Sequence, residues 1–337
     1  MRAAVLHGPG KLVIEERPIP RPGPGEVVVR TRAVGVCGSD THYYDHGRIG
    51  SFVVEEPLVL GHEAAGEVAE VGAGVTRVAV GQRVSVEPGV PDMSCRQCLS
   101  GRYNLCPNMR FFATPPVDGA FAEYVVVHEA FAHPVPDVIG DDAAALLEPL
   151  SVGLWACMKG HVTAASRVLV TGAGPIGLVA VQAALAFGAT DVLVSDVNPA
   201  RLALARELGA TETIDARQEG VAQLVRPPDV LLECSGHPPA IREAIGALDR
   251  AGRAVLVGMG EDEVSLPLSV VQEREIELTG TFRYAGTWPT AIALVAAGRI
   301  DLDRMVTGTY RLDQTEEALT AGRRDADTVK VVIHPQT

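Results

Sequence analysis

The alternation of hydrophobic and polar residues changes character near residue 150. Before that point, short runs rich in β-branched residues, at 27–32 and 83–87, are separated by turns rich in glycine and proline. Such runs are typical of strands. The four prolines between residues 18 and 24 indicate an extended crossing between two of them. The first 150 residues are therefore predicted to form an irregular antiparallel β domain with polar loops.

From residue 168 the pattern becomes strand, glycine turn and helix, repeated several times. The run 168–171 is almost continuously apolar, as expected for a strand of a parallel sheet that is covered on both faces. This alternation predicts a doubly wound α/β sheet. Further strands are predicted at 192–195, 230–233, 254–257 and 275–280, and helices at 176–187, 199–208 and 239–248.

The end of the chain departs from this repeat. After residue 283, one helix at 289–297 and one strand at 328–334 are predicted. We expect this last strand to rejoin the first domain. The predicted domains are residues 1–150 completed by 284–337, and residues 151–283 between them.

The glycine turn that follows strand 168–171 has the context that dinucleotide binding requires, because a helix opens at Pro175. Gly172 allows the tight turn, Gly174 lets the backbone approach a pyrophosphate, and Gly177 permits close packing of helix on sheet. The helix N-terminus then offers free N–H groups to the phosphates.

An acidic residue ends the next predicted strand. Asp196 lies 19 residues after Gly177, where a carboxylate accepts hydrogen bonds from the ribose hydroxyls of NAD and repels the 2′-phosphate of NADP. Arg201 is the kind of neighbour that accommodates this phosphate, but Asp196 favours NAD.

A second group of residues offers metal ligands. Cys37, His62, Glu63 and Glu148 provide a thiolate, an imidazole and two carboxylates, which together suit one zinc ion with an open position. A thiolate and one carboxylate neutralise Zn²⁺, whereas a second carboxylate would weaken its Lewis acidity. We therefore expect one of Glu63 and Glu148 to bind zinc directly and the other to bind through water.

A metal beside a nicotinamide suggests the oxidation of an alcohol. The pKa of an alcohol is close to that of water, about 15.7, while that of histidine is near 6.5. The gap of about nine units is roughly 12 kcal/mol, too much for a side-chain base alone. Zinc lowers the pKa of bound water to about 7, so the metal is expected to do most of the activation.

Charge and composition exclude several classes of partner. The 337 residues are 47% hydrophobic, which is ample for globular cores, and the net charge of −13 disfavours nucleic acid and anionic membranes. The N-terminal segment lacks the apolar core of a signal peptide, and no apolar run reaches membrane-spanning length. These features predict a cytoplasmic protein whose six cysteines are thiols or metal ligands.

These motifs resemble those of the zinc-containing medium-chain dehydrogenases and, within that family, the polyol (sorbitol/xylitol) dehydrogenases. The similarity spans nearly the whole chain. It implies a GroES-like catalytic domain, a Rossmann domain and assembly into a homotetramer. The segments that carry it are 35–40, 42–44, 47–50, 61–63, 111–116, 148–153, 172–177 and 282–284.

The resemblance implies that Cys37, His62 and Glu63 hold the zinc, with Glu148 acting through water. Ordinary alcohol dehydrogenases of the family place a cysteine at the position of Glu148, so the glutamate indicates polyols. A second lobe resembles the structural zinc site of the family, with aspartate at the first of its four positions. Its residues are Asp92, Cys95, Cys98 and Cys106.

Further roles also follow from the resemblance. Ser39 would join a proton relay, and His42 is either an extension of that relay or a loop-packing residue. The expected substrate residues are Tyr43, Phe112, Glu148, Arg283 and Tyr284. The expected cofactor residues besides the three glycines are Pro175, Ile176, Asp196, Arg201, Ser235, Val257, Phe282 and Arg283.

The sequence therefore predicts a zinc- and NAD-dependent oxidation of a secondary hydroxyl of a polyol to the ketose. Two alternatives remain open. One is an enzyme of the same family that resembles threonine or glucose dehydrogenases. The other is a non-catalytic module that binds NAD(H).

Overall fold

The computed structural model describes all residues from 1 to 337. They form two compact units: residues 1–148 with 302–337, and residues 149–301. The second unit therefore extends past residue 283, where the sequence placed the return to the first domain. The helix at Trp288–Ala296 belongs to this second unit.

Strands dominate the first unit and alternate with helices in the second. The strands are β1 (Arg2–Gly8), β2 (Lys11–Glu16), β3 (Glu26–Gly35), β4 (Arg48–Ile49), β5 (Phe52–Val53), β6 (Leu58–Val59), β7 (Glu63–Val71), β8 (Arg83–Val86), β9 (Gly89–Val90), β10 (Arg110–Phe111), β11 (Tyr124–His128), β12 (Ala132–Pro134), β13 (Arg167–Thr171), β14 (Asp191–Asp196), β15 (Glu212–Asp215), β16 (Val230–Glu233), β17 (Arg253–Leu256), β18 (Glu277–Gly280), β19 (Val306–Arg311) and β20 (Lys330–His334). The helices are α1 (Gly38–His46), α2 (Arg96–Leu99), α3 (Asp141–Ala145), α4 (Leu147–Gly160), α5 (Pro175–Ala186), α6 (Pro199–Glu207), α7 (Pro238–Ala247), α8 (Leu268–Glu273), α9 (Trp288–Ala296), α10 (Thr315–Leu319) and α11 (Ala321–Arg324).

The first unit is built on a seven-stranded sheet in the order β12-β8-β7-β3-β20-β19, with β11 also paired to β3. β3 is its longest strand, and its residues Val27, Val29 and Val34 are buried in the hydrophobic core. Antiparallel pairing places Gly35, at the end of β3, opposite Glu63, at the start of β7. This register brings two distant loops together: the one before α1 and the one before β7.

The second unit contains a six-stranded parallel sheet in the order β15-β14-β13-β16-β17-β18. The strand order reverses between β13 and β16, so the carboxyl ends of these two strands flank the crevice where such sheets bind ligands. Thr171 and Glu233 end the two strands and are partners in the register.

Most long predicted elements are present, with ends shifted by one or two residues. Helices α1 and α4 and strand β15 were among the elements not predicted from the sequence, and the last predicted strand of the parallel sheet begins at Glu277 rather than at residue 275. No helix of the protein combines the length and the apolar content that crossing a bilayer requires.

Candidate active site

Three of the predicted zinc ligands lie together in the first unit. Ligand atoms of Cys37, His62 and Glu63 all lie within 4.8 Å of one another. Cys37 caps the N-terminus of α1, and His62 directly precedes Glu63, the first residue of β7. His62 and Glu63 are buried and Cys37 is half-buried. A thiolate, an imidazole and a carboxylate match the ligand preference of zinc and leave a fourth position open.

The two oxygens of Glu63 have different surroundings. Oε1 accepts a hydrogen bond of 2.5 Å from Nζ of Lys330, whereas Oε2 is buried without a hydrogen-bond partner. A Cβ atom at Gly35 would lie 2.0 Å from Oε2, so a larger residue there would displace the Glu63 carboxylate. A buried carboxylate oxygen that lacks a donor is costly. A metal ion at this position would satisfy it, so the residues present fit zinc.

Lys330 is a functional residue that the sequence analysis missed. It is 2% exposed and also donates to the carbonyl of Val36 over 2.9 Å. Burial alone would lower the pKa of Lys330, but the charges of Glu63, Cys37 and Glu148 raise it above its ordinary value. The only signal in the sequence was a lysine at the start of a terminal strand whose three central residues are apolar.

Asp40 joins the two loops that carry the ligands. Its fully buried carboxylate accepts hydrogen bonds from the backbone N–H of Cys37 and of Gly61, both at 2.9 Å. It also lies 3.8 Å from Nδ1 of His62. Burial lowers the pKa of His62, but Cys37 and Asp40 raise it, and the net result lies well above the ordinary value. The negative charge that favours a protonated imidazole here also attracts a cation.

Glu148 lies outside this three-residue cluster. It is 5% exposed and belongs to the first turn of α4. Its charge acts on Lys330, which places it in the same electrostatic environment as Glu63 and Cys37. This arrangement favours Glu63 over Glu148 as the carboxylate that binds the metal directly.

Helix α1 holds the predicted relay residues. Ser39 is half-buried two residues after Cys37, and Tyr43 is buried on the same helix. His42 is exposed, and its Nδ1 lies 2.9 Å from the carbonyl oxygen of Arg48. Because a carbonyl only accepts, Nδ1 carries the proton. Phe112, another predicted substrate residue, is 8% exposed in the first unit.

The second unit contains the predicted dinucleotide turn. Gly172 has a φ of 85°, and a Cβ atom at Gly177 would lie 1.8 Å from the carbonyl oxygen of Gly172. Both positions therefore require glycine. Nothing lies within 4 Å of a Cβ atom built at Gly174, the N-cap of α5, and Pro175 and Ile176 open that helix. The open space in front of a twelve-residue helix suits a phosphate.

Asp196 lies at the carboxyl end of β14, beside this turn. Its Oδ2 accepts from the N–H of Ala173 over 2.6 Å, and its Oδ1 accepts from the N–H of Asn198 over 2.7 Å. Arg201 follows in the first turn of α6 and is half-buried. The acidic residue is therefore fixed to the glycine turn by its own side chain.

The other predicted residues of the second unit lie on three segments. Ser235 follows β16 and Val257 follows β17, and the N–H of Val257 donates to the carbonyl of Glu233 over 2.8 Å. After β18, the guanidinium of Arg283 lies 4.7 Å from the ring centroid of Phe282. Tyr284 is buried, and its ring centroid lies 5.1 Å from that of Trp288, so packing accounts for part of its role.

The second predicted metal lobe is also assembled. Ligand atoms of Asp92, Cys95, Cys98 and Cys106 lie within 4.8 Å of one another, and the sulfurs of Cys95 and Cys98 are 3.4 Å apart. Asp92 accepts hydrogen bonds from the N–H of Cys95 and Ser94 and from the amide of Asn108. These bonds hold the pKa of the Asp92 carboxyl far below its usual range, so it remains a charged oxygen ligand.

The protein is similar to known dehydrogenases over its whole length. Residues 23–137 match the alcohol dehydrogenase GroES-like domain, and residues 175–297 match the zinc-binding dehydrogenase domain. A sorbitol dehydrogenase of Bacillus subtilis is 42% identical over 343 residues, with 99% of this chain and 97% of that protein covered. These matches confirm the predicted fold class.

Solved structures of dehydrogenases are also similar to this chain. An Escherichia coli oxidoreductase of unknown specificity superposes with a TM-score of 0.95 at 34% identity, covering 99% of this chain and 98% of the other. An E. coli alcohol dehydrogenase in complex with NADH has a TM-score of 0.93 at 30% identity, covering 99% of this chain and 99% of the other. The chain therefore belongs to the zinc-dependent medium-chain dehydrogenases and resembles the sorbitol dehydrogenases among them.

Proposed function

We propose that the protein oxidises a secondary hydroxyl of a polyol to the ketose, with a catalytic zinc ion and NAD. The observation that carries this proposal is the buried, unpartnered Oε2 of Glu63 beside Cys37 and His62. The identity to sorbitol dehydrogenases over nearly the full chain supports the substrate class.

The chain supplies a ligand set of defined charge. When bound, zinc supplies Lewis acidity, which lowers the pKa of a substrate hydroxyl. As zinc ligands, Cys37 and Glu63 together contribute two negative charges, and Lys330 contributes one positive charge next to Glu63. With Lys330 present, a further carboxylate from Glu148 no longer makes the site net negative. Glu63 is the proposed direct ligand and Glu148 the residue that acts through water.

We assign proton release to residues of helix α1. Ser39 is the proposed first acceptor of the hydroxyl proton, because the start of α1 places it two residues from Cys37. His42 is exposed and has its lone pair on Nε2, so it is suited to pass the proton to solvent. Asp40 holds the loops of Cys37 and His62 in place and does not take part in the transfer.

The polyol needs several hydrogen-bonding partners. In the first unit we assign Tyr43, Phe112 and Glu148 to substrate recognition, and in the second unit Arg283 and Tyr284. Arg283 offers up to five donors, while Glu148 accepts. These side chains match a ligand with many hydroxyl groups better than a simple alcohol.

NAD is the proposed coenzyme. Asp196 is fixed at the carboxyl end of β14, where its carboxylate accepts from ribose hydroxyls and repels a 2′-phosphate. The second lobe is proposed to bind a structural zinc through Asp92 and its three cysteines. We also propose a homotetramer, as the resemblance implies, and a cytoplasmic location.

A substrate panel tests the proposal. NADH formation is followed by absorbance with sorbitol, xylitol, L-iditol, ribitol and threonine, each with NAD and with NADP. Turnover of at least one polyol with NAD, well above threonine, supports it. Preference for threonine would point to a different substrate class in the same family, and NADH binding without turnover of any compound would indicate a binding module.

A further inference from the structure

Glu233 ends β16 at the point where the order of the parallel strands reverses. Its side chain is completely buried, although it lies beside a ligand crevice. Neither the sequence motifs nor the proposed chemistry assigns it a role. A buried carboxylate is costly unless hydrogen bonds satisfy it, so its partners show what it does.

All the hydrogen-bond partners of this carboxylate are neutral donors from two loops. Oε1 accepts from the hydroxyl of Thr171 at 3.1 Å, from the N–H of Ser235 at 3.0 Å and from the Ser235 hydroxyl in a short bond. The N–H of Gly236 lies 3.2 Å from Oε1 and 3.1 Å from Oε2. Thr171 is the last residue before the glycine turn. One side chain therefore ties that turn to the loop that follows β16.

The donor set requires a carboxylate. An ionised carboxylate only accepts, so Oε1 can face two hydroxyls and two N–H groups while Oε2 faces the N–H of Gly236. A glutamine could keep its carbonyl oxygen at the Oε1 position, but its buried NH₂ group would then meet the N–H of Gly236 and would lack an acceptor. The same shape without the charge therefore breaks the connection.

The loops joined in this way are in close backbone contact. A Cβ atom at Gly172 would lie 2.9 Å from the backbone nitrogen of Ser235, and one at Gly258 would lie 2.3 Å from that of Gly236. The carbonyl of Glu233 itself accepts from the N–H groups of Val257 and Gly258, each over 2.8 Å. Glu233 thus connects the loops after β13, β16 and β17.

We propose that Glu233 is a positioning residue of the dinucleotide cleft: its carboxylate holds the loop after β16 against the glycine turn, so that the part of the cofactor beyond the adenosine half meets a preformed surface. This inference rests on the proposed binding of NAD. The adenosine half lies on the Asp196 side of the crevice, and the rest of the dinucleotide crosses to the β16 side. Replacement of Glu233 should therefore weaken the binding of that second part of the dinucleotide alone.

Ligand fragments separate these halves. Dissociation constants of NADH, ADP-ribose and AMP are measured by fluorescence titration and competition for the wild type and for Glu233→Gln. The variant should bind NADH and ADP-ribose at least about tenfold more weakly, as the loss of one hydrogen bond to a charged group predicts. The dissociation constant of AMP should change by less than about twofold, since AMP fills only the adenosine half of the site.

Two further variants complete the design. Glu212→Gln makes the same change at the opposite, amino end of β15 and should leave all three constants unchanged. Thr171→Val removes one donor without changing side-chain size. It should also weaken the binding of ADP-ribose, but by a smaller factor than Glu233→Gln. It carries the test if Glu233→Gln does not fold.

Unaltered binding of ADP-ribose by a folded Glu233→Gln, or by Thr171→Val where that variant carries the test, would overturn the inference. So would an equal loss for AMP and ADP-ribose, which would indicate general loosening of the domain. In either case the wild type still binds NADH and the proposed function stands. If the wild type itself does not bind NADH, the proposed function fails and the inference falls with it.

Discussion

The Nζ atom of Lys330 lies 2.5 Å from Oε1 of Glu63, and both side chains are buried. This ion pair leaves Oε2 as the oxygen available to a metal and sets the charge of the ligand group. It joins the terminal strand β20 to the start of β7, and it connects the stability of the first unit to the occupancy of its metal centre.

The first prediction concerns this ion pair. Lys330→Met leaves the Glu63 carboxylate buried without its cation, which typically costs about 3–5 kcal/mol. A bound zinc ion replaces much of that missing charge. The unfolding midpoint of the metal-free variant should therefore fall sharply, and zinc should raise it by more than it raises the wild type.

Thermal unfolding with zinc and with a chelator measures this difference. Lys11→Met, which removes an exposed lysine, is the control and should behave as the wild type. An equal zinc-dependent rise in Lys330→Met and in the wild type would show that Lys330 does not act on the metal centre.

A second prediction concerns coenzyme preference. Asp196→Asn removes the charge that repels a 2′-phosphate but keeps an acceptor for the N–H of Ala173. The ratio of kcat/KM for NADP to that for NAD should rise about tenfold, equivalent to about 1.4 kcal/mol. Asp215→Asn, at the end of the neighbouring β15, should leave the ratio unchanged. An unchanged ratio in Asp196→Asn would remove Asp196 from coenzyme selection.

The third prediction concerns the second metal lobe. Elemental analysis of the purified wild type should give two zinc ions per chain. Asp92→Ala removes the oxygen ligand and should reduce this to one, whereas Asp92→Cys should retain two and bind the second more firmly, because thiolate is the softer ligand. One zinc ion per wild-type chain would mean that this lobe is a cysteine-rich loop without metal.

The fourth prediction is a pH dependence. Nε2 of His334 lies 2.7 Å from Oδ1 of Asp142, and this bond raises the pKa of His334 above its ordinary value, although partial burial opposes the shift. A raised folded-state pKa means that the pair contributes fully below about pH 6.5, the unfolded value, and that this contribution is lost as the pH rises through the folded pKa.

His334→Gln should therefore lower the free energy of unfolding by about 0.5 kcal/mol at pH 6, with the loss shrinking as the pH is raised. Chemical denaturation at a series of pH values measures it. A loss that stayed constant or grew with pH would contradict the assigned charge state.

Part of the fold was predictable from local sequence patterns. The glycine turn and its flanking strand and helix were predictable because the residues of this motif lie close together in the sequence. Gly172 and Gly177 allow close approach, and Asp196 ends the next strand. By contrast, α1 is mostly polar and has no apolar period, so no local pattern indicated a helix there.

Contacts between distant residues were not predictable. Lys330 and Glu63 are 267 positions apart, and nothing near either residue indicates the other. Glu233 looked like the end of an ordinary strand, since its role depends on donors from a neighbouring strand and its own following loop. The residue types indicated Cys37, His62 and two candidate carboxylates as metal ligands, and only the family resemblance selected Glu63 over Glu148.

Removal of the metal shows whether polyol oxidation depends on zinc. The protein is dialysed against a chelator until elemental analysis finds no zinc, and its rate of sorbitol or xylitol oxidation with NAD is compared before dialysis, after it, and after zinc is returned. We expect activity to disappear with the metal and to return with it, while NADH binding persists throughout. Oxidation of the polyol at the original rate by zinc-free protein would contradict it.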